Sequence, residues 1–450
     1  MLGHTGESQI AKILHQRAGR GLRVLISAYA CEPGKGSEPA VGWMWVHQVA
    51  RFHEAWVITR ANNRDVIENA LAKEPLPNVH WVYFDLPQWA RFWKRKQHGT
   101  RLYYHLWQFA IFFVARKLHR RNGFDIIHHL TFGQYWVPSF LALLPVPFVW
   151  GPVGGGESAP PGFWWDFCSH GKIYEVFRNL ARSLASLNPV MRLSARRSRI
   201  AIATTEQTAL QLRRLGAKLV EVHPQFGMTS REIQHFANFP IRRSRPFRLI
   251  SMGRLIHWKG FHLSLRAFAK FQATYPDSEY WIVSSGPERD HLQTLANQLG
   301  VERKVVFWGG FRTLQEVYAS LEQCDVLVHP ALHEAFGNVC LEAMAAGRAV
   351  ICLDLGGPAV QVTEETGIKV PARTPEQVVR DLAGAFSRLA GDPTLRIRFG
   401  RAAQRRVEVD FNWDKKGEWM NRIYSLANNG HAPIHNTEMV APLLNSKKNP

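Results

Sequence analysis

Glu334 and Glu342 stand with seven residues between them in HEAFGNVCLEAMAAG. Asn338 is a good helix N-cap and Gly347 a good residue to end one, so a short helix is expected between them. A helix start offers unpaired backbone N–H groups and the positive end of a dipole, which together attract an anion. Two carboxylates flank this one, Glu334 just before it and Glu342 inside it. They would repel a bare phosphate, and they suit a ligand that presents hydroxyls beside its phosphate. A nucleotide sugar is such a ligand. A second constellation lies upstream in GRLIHWKG, where Arg254 and Lys259 flank a turn between a strand and a helix. Two cations beside a helix N-terminus neutralise a diphosphate; the plainer reading is a basic surface turn.

These side chains need strands to bring them together. Asp325 precedes the apolar run Val326 to Val328, closed by His329 and Pro330. Ala349 to Leu353 is a second run, leading into a loop at Gly356 and Gly357. Continuous apolar runs suit strands buried on both faces. Strand, loop, helix and strand in succession imply a parallel sheet, whose ligands sit beyond the carboxyl ends of its strands. The first half of the chain repeats this grammar. Strands are expected over Leu22 to Ser27, Ala55 to Thr59, Trp81 to Phe84, Asp125 to His129, Pro147 to Trp150, Ile200 to Thr204 and Val220 to His223. Helices are expected over Tyr174 to Arg199 and Glu206 to Leu215. The pattern restarts with Phe247 to Met252, Trp281 to Ser285 before Gly286, and Val305 to Trp308 before Gly309 and Gly310. Those glycine loops are expected around a base and ribose.

Two βα halves joined by a polar stretch make two domains. The expected organisation is a loose tail over 1–20, a first Rossmann-like domain over 21–230, a linker over 231–245 and a second such domain over 246–410. A closing helix over 411–427 and a disordered polar tail over 428–450 complete it.

The first half carries its own candidates. Gly34 and Gly36 follow the first strand, where a flexible turn either lets backbone approach a phosphate or simply leads into a helix. The spacing is not G-x-G-x-x-G, so a dinucleotide site is not indicated. His128 and His129 end a strand, a better position for function than a lone core histidine holds. Gly154, Gly155, Gly156 and Glu157 form either a substrate-contacting loop or a hinge-like connection. Trp89 to Arg121 holds nine Lys or Arg, nine aromatic and no acidic residues. Bland helix packing accounts well for Leu106 to Val114. The interleaved cations and rings of Trp89 to Arg101 fit an anionic membrane headgroup layer or single-stranded nucleic acid better.

The chain has 450 residues, a formal net charge of +20 and a sequence pI near 10.1. An acidic partner is expected: nucleic acid, anionic lipid or a phosphorylated substrate. Cys31, Cys168, Cys324, Cys340 and Cys352 form no C-x-x-C pair, so a zinc site or redox dithiol is not expected. The odd count and absence of a signal peptide suit reduced thiols and a cytoplasmic protein. No apolar run reaches the roughly 18 residues of a membrane span.

HEAFGNVCLEAMAAGRAVI resembles the E-x7-E signature of retaining glycosyltransferases of the GT-B fold, and more narrowly the group-1 (family 4) class. GRLIHWKG resembles that family's second signature, and the resemblance covers most of residues 22 to 427. It implies two facing Rossmann-like βαβ domains with a cleft between them. It also implies a retaining, hexosyltransferase-type transfer, without metal, from a nucleotide sugar to an acceptor hydroxyl. UDP- or GDP-sugars are the implied donors, as substrates, with no cofactor. Gly253, Arg254, Lys259, Gly286, Glu334, Phe336, Gly337, Asn338, Val339 and Glu342 are the implied donor site. Arg254 and Lys259 would take the pyrophosphate, Glu342 the ribose and Glu334 the sugar. The family's D-x-x-H-x-H supplies a cleft histidine near the sugar; here Asp125 and His128 match, and Leu130 stands where the second histidine would be, with His129 one position early. Gly34 and Gly36 would touch donor phosphate or acceptor, and Gly154 to Glu157 matches a G-P-x-G-G-G variant. The FNWDKK stretch from Phe411 resembles the family's closing helix.

A role in polysaccharide, glycolipid or lipid-linked glycan synthesis, at the inner face of a membrane, follows as the expectation. Its partners would be a nucleotide sugar, a sugar or lipid-linked acceptor and an anionic membrane surface, and not nucleic acid. The rival is a basic membrane- or nucleic-acid-binding protein without transferase activity; it explains the charge and leaves the two glutamates unexplained.

Overall fold

The computed structural model describes residues 21–90, 99–167, 169–241, 245–309 and 313–429. The first half runs β1 (Arg23–Ser27), α1 (Glu38–Ala50), β2 (Glu54–Thr59), α2 (Arg64–Leu71), β3 (Val79–Tyr83), α3 (Thr100–Asn122), β4 (Ile126–His129) and β5 (Phe148–Val153). It continues with α4 (Ser169–Leu187), α5 (Pro189–Arg197), β6 (Ser198–Ala203), α6 (Glu206–Leu215), β7 (Val220–Val222) and α7 (Ser230–Ala237). The second half runs β8 (Phe247–Met252), α8 (Phe261–Gln272), β9 (Ser278–Val283), α9 (Arg289–Gln298), β10 (Val305–Trp308), α10 (Leu314–Glu322), β11 (Val326–His329) and α11 (Asn338–Ala345). It ends with β12 (Ala349–Leu353), α12 (Gly356–Gln361), β13 (Gly367–Val370), α13 (Pro375–Gly391), α14 (Pro393–Asp410) and α15 (Trp413–Asn429).

Seven strands form one parallel sheet in the order β3-β2-β1-β4-β5-β6-β7, and six form another in the order β10-β9-β8-β11-β12-β13. These are two Rossmann-like halves, and the GT-B architecture is the one found. Val24, Leu25 and Ile26 are wholly buried because helices cover both faces of their sheet. Each such aliphatic side chain contributes about 1.5–3 kcal/mol of burial free energy. Parallel pairing sets Ile26 beside His128 and Leu327 beside Ile250, so the loops leaving β1 and β4, and those leaving β8 and β11, emerge side by side.

Several boundaries differ from expectation for local reasons. The stretch read as a linker contains α7, closed by a capping box in which Thr229 and Glu232 bond reciprocally. Its Phe236 packs into the second half's core. The single helix expected over Tyr174 to Arg199 is two, because Pro189 cannot continue α4 and Asn188 starts α5 by accepting from Val190 N at 2.9 Å. The loop expected at Gly356 and Gly357 is the first turn of α12. Gly337, at φ +71°, is the N-cap of α11, and Asn338 is its first helical residue. The closing helix runs to Asn429. Residues 91–98 of the basic aromatic segment, Cys168, Gly310, the tail over 1–20 and the tail from 430 onward lie outside the described residues.

The halves are joined by more than the chain between them. Ala159, Phe163 and Phe167, which follow β5 of the first sheet, lie in the core of the second half. In return, Trp413, Met420, Ile423, Tyr424 and Ala427 of α15 complete the first half's core beside Val24, Ile26 and Ile126.

Candidate active site at the switch points of the two sheets

In each sheet the strand order reverses once, between β1 and β4 and between β8 and β11. A crevice opens at such a point, beyond the carboxyl ends of the strands. At β8 and β11 the two loops touch: Leu332 N donates to Trp258 O at 2.8 Å. A Cβ on Gly260, at φ +68°, would lie 2.0 Å from Pro330 O, so only glycine permits this approach.

Loop contact explains why Lys259 and Glu334 meet. The Lys259 ammonium donates to Glu334 Oε2, both side chains being mostly buried. His329 Nε2 stands 3.7 Å from the same oxygen, too far for a hydrogen bond. Burial opposes ionisation of Glu334, but the His329 imidazole and the Lys259 ammonium outweigh it and hold the carboxyl well below the usual range. The loop is fixed from behind: Gly357 N donates to Glu334 O at 2.9 Å and Gln361 Nε2 to Phe336 O at 2.5 Å. Gly286, after β9, lies so close to the loop leaving β8 that a Cβ would be 2.3 Å from Leu255 O.

Around this pair stand groups without partners. Among the described residues, no side chain caps α11, and Asn338 Oδ1 is buried with no hydrogen bond. The Glu342 carboxylate has no hydrogen bond or ion pair among the described residues, and burial, then the charge of Glu232, pushes it up to about 7. Arg254 is exposed and likewise without a partner, beside Gly253 at φ +141°. A paired carboxylate, an unpaired one, a free cation and an open helix start are what a phosphorylated, hydroxylated ligand requires.

At β1 and β4 the side chains are arranged differently. His128 and His129 are wholly buried. His128 Nδ1 accepts from Tyr424 Oη of α15 at 2.6 Å, and its Nε2 donates to Gly151 O. His129 Nδ1 bonds Ser139 Oγ at 2.9 Å and Nε2 bonds Tyr104 Oη at 3.1 Å. Burial pushes His128 down to about 4, and burial with the neighbouring His128 pushes His129 down to about 3. Both rings are therefore neutral and fully bonded to protein, which corrects the expectation of a cleft histidine at either position. Glu157 is also turned in: it is buried and accepts from Thr205 Oγ1 at 2.6 Å, Thr208 Oγ1 at 2.8 Å and Gly155 N at 3.0 Å. Gly156 sits so near Thr208 that a Cβ would be 2.3 Å from its Cα, so the Gly154–Gly156 loop is packed down onto α6. Gly34 and Gly36 are exposed, with open space around them.

The crevice also holds residues that the sequence did not single out. Glu38, in the first turn of α1, accepts from Phe132 N at 2.5 Å, and burial pushes its carboxyl up to about 7. Phe132 itself has φ +58°, a left-handed conformation that costs a non-glycine residue energy. The acid in GKGSEP, opening a helix after a glycine loop, was its available signal. Ser284, leaving β9 at φ +139°, had no signal in sequence. On α4, Arg178 donates to His333 Nε2 at 2.8 Å, and Glu175 lies 3.8 Å from His257 and 3.2 Å from Arg178. Tyr174 stacks on Trp258 with centroids 5.3 Å apart. These contacts bring a first-half helix against the residue preceding Glu334. Among the described residues, no group of three or more His, Cys, Asp or Glu is placed to hold a metal ion.

Residues 35–224 match the family model described as a glycosyl transferase 4-like domain, and residues 234–406 match that for glycosyl transferases group 1. An uncharacterised glycosyltransferase of Methanocaldococcus jannaschii is 34% identical over 182 residues, covering 40% of this chain and 45% of that protein. The lipopolysaccharide core biosynthesis glycosyltransferase LpsD of Rhizobium meliloti is 30% identical over 224 residues, covering 47% of this chain and 59% of that one. The chain thus spans about half the length of the curated relatives it matches. The crystal structure of Anabaena HepE in complex with UDP superposes with a TM-score of 0.56 at 18% identity, covering 90% of this chain and 99% of that one. The chain belongs to the group-1 (family 4) glycosyltransferases of the GT-B fold.

Proposed function

We propose that this protein moves a sugar from a nucleotide-activated donor, a UDP- or GDP-sugar, to an acceptor hydroxyl, with retention and without a metal. The observation that carries the reading is the Lys259–Glu334 pair at the β8/β11 switch point, facing an unpartnered Glu342 and an uncapped α11. HepE was solved with UDP, which supports a uridine nucleotide here. The curated relative LpsD, named for lipopolysaccharide core biosynthesis, supports a glycan acceptor.

In this reading Arg254, Lys259 and the amides of Asn338 and Val339 receive the diphosphate. Glu342 accepts hydroxyl hydrogens of the ribose; those bonds favour its ionised form and replace the water it lacks. Glu334, held ionised, accepts from the sugar. As the anomeric C–O bond breaks, positive character grows on the ring and negative charge on the leaving diphosphate. The cations and helix amides oppose that charge without reorganising. The acceptor oxygen attacks from the side the diphosphate leaves, and its proton passes to a donor phosphate oxygen. His128 and His129 fix the ends of β4, β5 and α15, and Glu38 with the Thr131–Phe132 backbone lines the opposite wall.

The net charge of +20 supports an acceptor at the inner face of a membrane. No helix among the described residues is long and apolar enough to cross one. Thermal shift with UDP, GDP and their sugars tests the donor assignment, since a ligand stabilises by RT ln(1 + [L]/Kd). One nucleotide sugar should stabilise the protein and be slowly hydrolysed. No stabilisation and no turnover with any of them would sink the reading.

A further inference from the structure

Helix α4 has two faces with opposite character. Glu175, Arg178 and Arg182 recur at helical spacing on one, turned toward the crevice, with Glu175 0% and Arg182 8% exposed. On the opposite face Ile173, Val176, Phe177, Leu180, Leu184 and Leu187 follow the same spacing, and every one is more than half exposed. Helical geometry puts these six side chains in one stripe. Helices of soluble proteins do not leave such a stripe to water without a partner.

The surroundings say what that partner is. Beside the stripe lies a cavity of about 490 Å³, walled by Asn179, Arg182 and Ser183 of α4, Arg192 of α5 and Arg214 of α6. Among the described residues, no carboxylate lines it. Arg182 is locked there, donating to Gly156 O at 2.6 Å, Glu157 O at 3.1 Å and Ser158 Oγ at 2.9 Å. Its charge thus stays in place whether or not an anion is present. From Ser169 to Lys218 there are ten Lys or Arg and two acids, Glu175 and Glu206, and the first of these is turned inward. An identical copy of this face would bring like charges together across a two-fold axis. A nucleic acid would find one aromatic ring, Phe177, in the stripe, where stacking needs several.

We propose that this face docks on an anionic phospholipid bilayer, the α4 stripe entering the headgroup–acyl boundary and the arginine-lined cavity taking a lipid phosphate. Apolar insertion beside cationic attraction is the general physics of an interfacial helix. The inner face of the same helix holds the Gly156–Ser158 loop and His333, next to Glu334. Docking would therefore set the crevice at a fixed height above the lipid. That last consequence rests on the proposed transferase reading; the docking itself does not.

Co-sedimentation of the full chain with vesicles tests it. Wild type should pellet with phosphatidylglycerol–phosphatidylcholine vesicles and stay in the supernatant with phosphatidylcholine alone. Phe177→Glu with Leu180→Glu, and separately Arg192→Glu with Arg214→Glu, should each weaken binding about tenfold or more. All four side chains are outside the donor site, so stabilisation by a nucleotide sugar should persist. Unchanged Tm in both double variants shows that they fold. Equal pelleting of the stripe variant and wild type overturns the proposal. So does a dimer that dissociates on Phe177→Glu, which would make the partner a second copy. Stabilisation by inorganic phosphate without vesicle binding also overturns it, as a site for soluble anions. Lost vesicle binding with intact nucleotide stabilisation, or the reverse, separates this proposal from the donor assignment.

Discussion

The two switch points share a topology and treat these ionisable side chains in opposite ways. Where β1 meets β4, His128, His129 and Glu157 are turned inward and satisfied by Tyr424, Ser139, Tyr104, Thr205 and Thr208. Where β8 meets β11, Lys259 and Glu334 pair with each other, the Glu342 carboxylate lacks a partner among the described residues and Arg254 is exposed. A satisfied buried group adds stability and rigidity; an unsatisfied one stores free energy that a ligand can release. The first crevice thus reads as a wall and the second as a receptor.

The largest effect should come from the receptor's central pair. Lys259→Ala and Glu334→Gln should each lower kcat/KM by about a hundredfold or more, the loss expected when one charge-stabilising group is removed. Steady-state kinetics with the donor found by thermal shift measures this. Near-normal turnover in both would dissolve the contrast between the two crevices.

The wall should fail by unfolding. His128→Phe leaves Tyr424 Oη and the Gly151 carbonyl unpaired in the core, at about 1–3 kcal/mol each. Tyr424→Phe removes the hydroxyl and should cost less. Thermal denaturation should show both losses, the histidine's larger. Lost turnover at unchanged Tm would instead place His128 in the chemistry.

A smaller, pH-dependent effect separates Glu342 from the rest. Its carboxyl is held up to about 7 in the fold, above the ordinary value of 4.5. Between those values the folded state binds more protons than the unfolded one, so this group's contribution to stability falls as pH rises from about 4.5 to 7. Glu342→Gln removes that slope. The variant should gain Tm relative to wild type on going from pH 5 to pH 8, and should be stabilised less by the nucleoside diphosphate. A constant difference across that range would mean Glu342 is not the group that titrates.

The smallest effect is expected at Gly36, which has open space around it. Gly36→Ala should change stability by less than about 0.5 kcal/mol. A drop in turnover without a change in Tm would then show that the loop after β1 touches a ligand.

How much of this was legible depended on where each force acts. Runs such as Val326–His329 and Ala349–Leu353 are buried on both faces, so their apolar continuity marks the strands in sequence. Lys259 and Glu334 were legible because each sits in a local motif. Their contact was not, since it depends on β8 and β11 being neighbours. The histidines misled because the end of a strand looks the same whether a side chain points to solvent or, as here, to Tyr424 almost three hundred positions along. Helix α7 went unread because its stabilising face packs against the second sheet's core, and a polar exterior looks like linker. Arg178 gave no signal alone; only its period with Glu175 and Arg182, opposite an apolar stripe, could have raised it.

The return of α15 to the first half has a consequence for how the protein is made. Ribosomal synthesis is vectorial, and domains generally fold in the order they emerge. Here Val24, Ile26 and Ile126 wait for Trp413, Met420 and Tyr424 to cover them. Until α15 leaves the exit tunnel, the nascent first half carries an open apolar groove while an entire second half is being elongated. Chaperone occupancy should accordingly persist on the nascent chain until α15 has emerged, and premature stop codons anywhere before α15 should yield aggregates, not functional half-proteins.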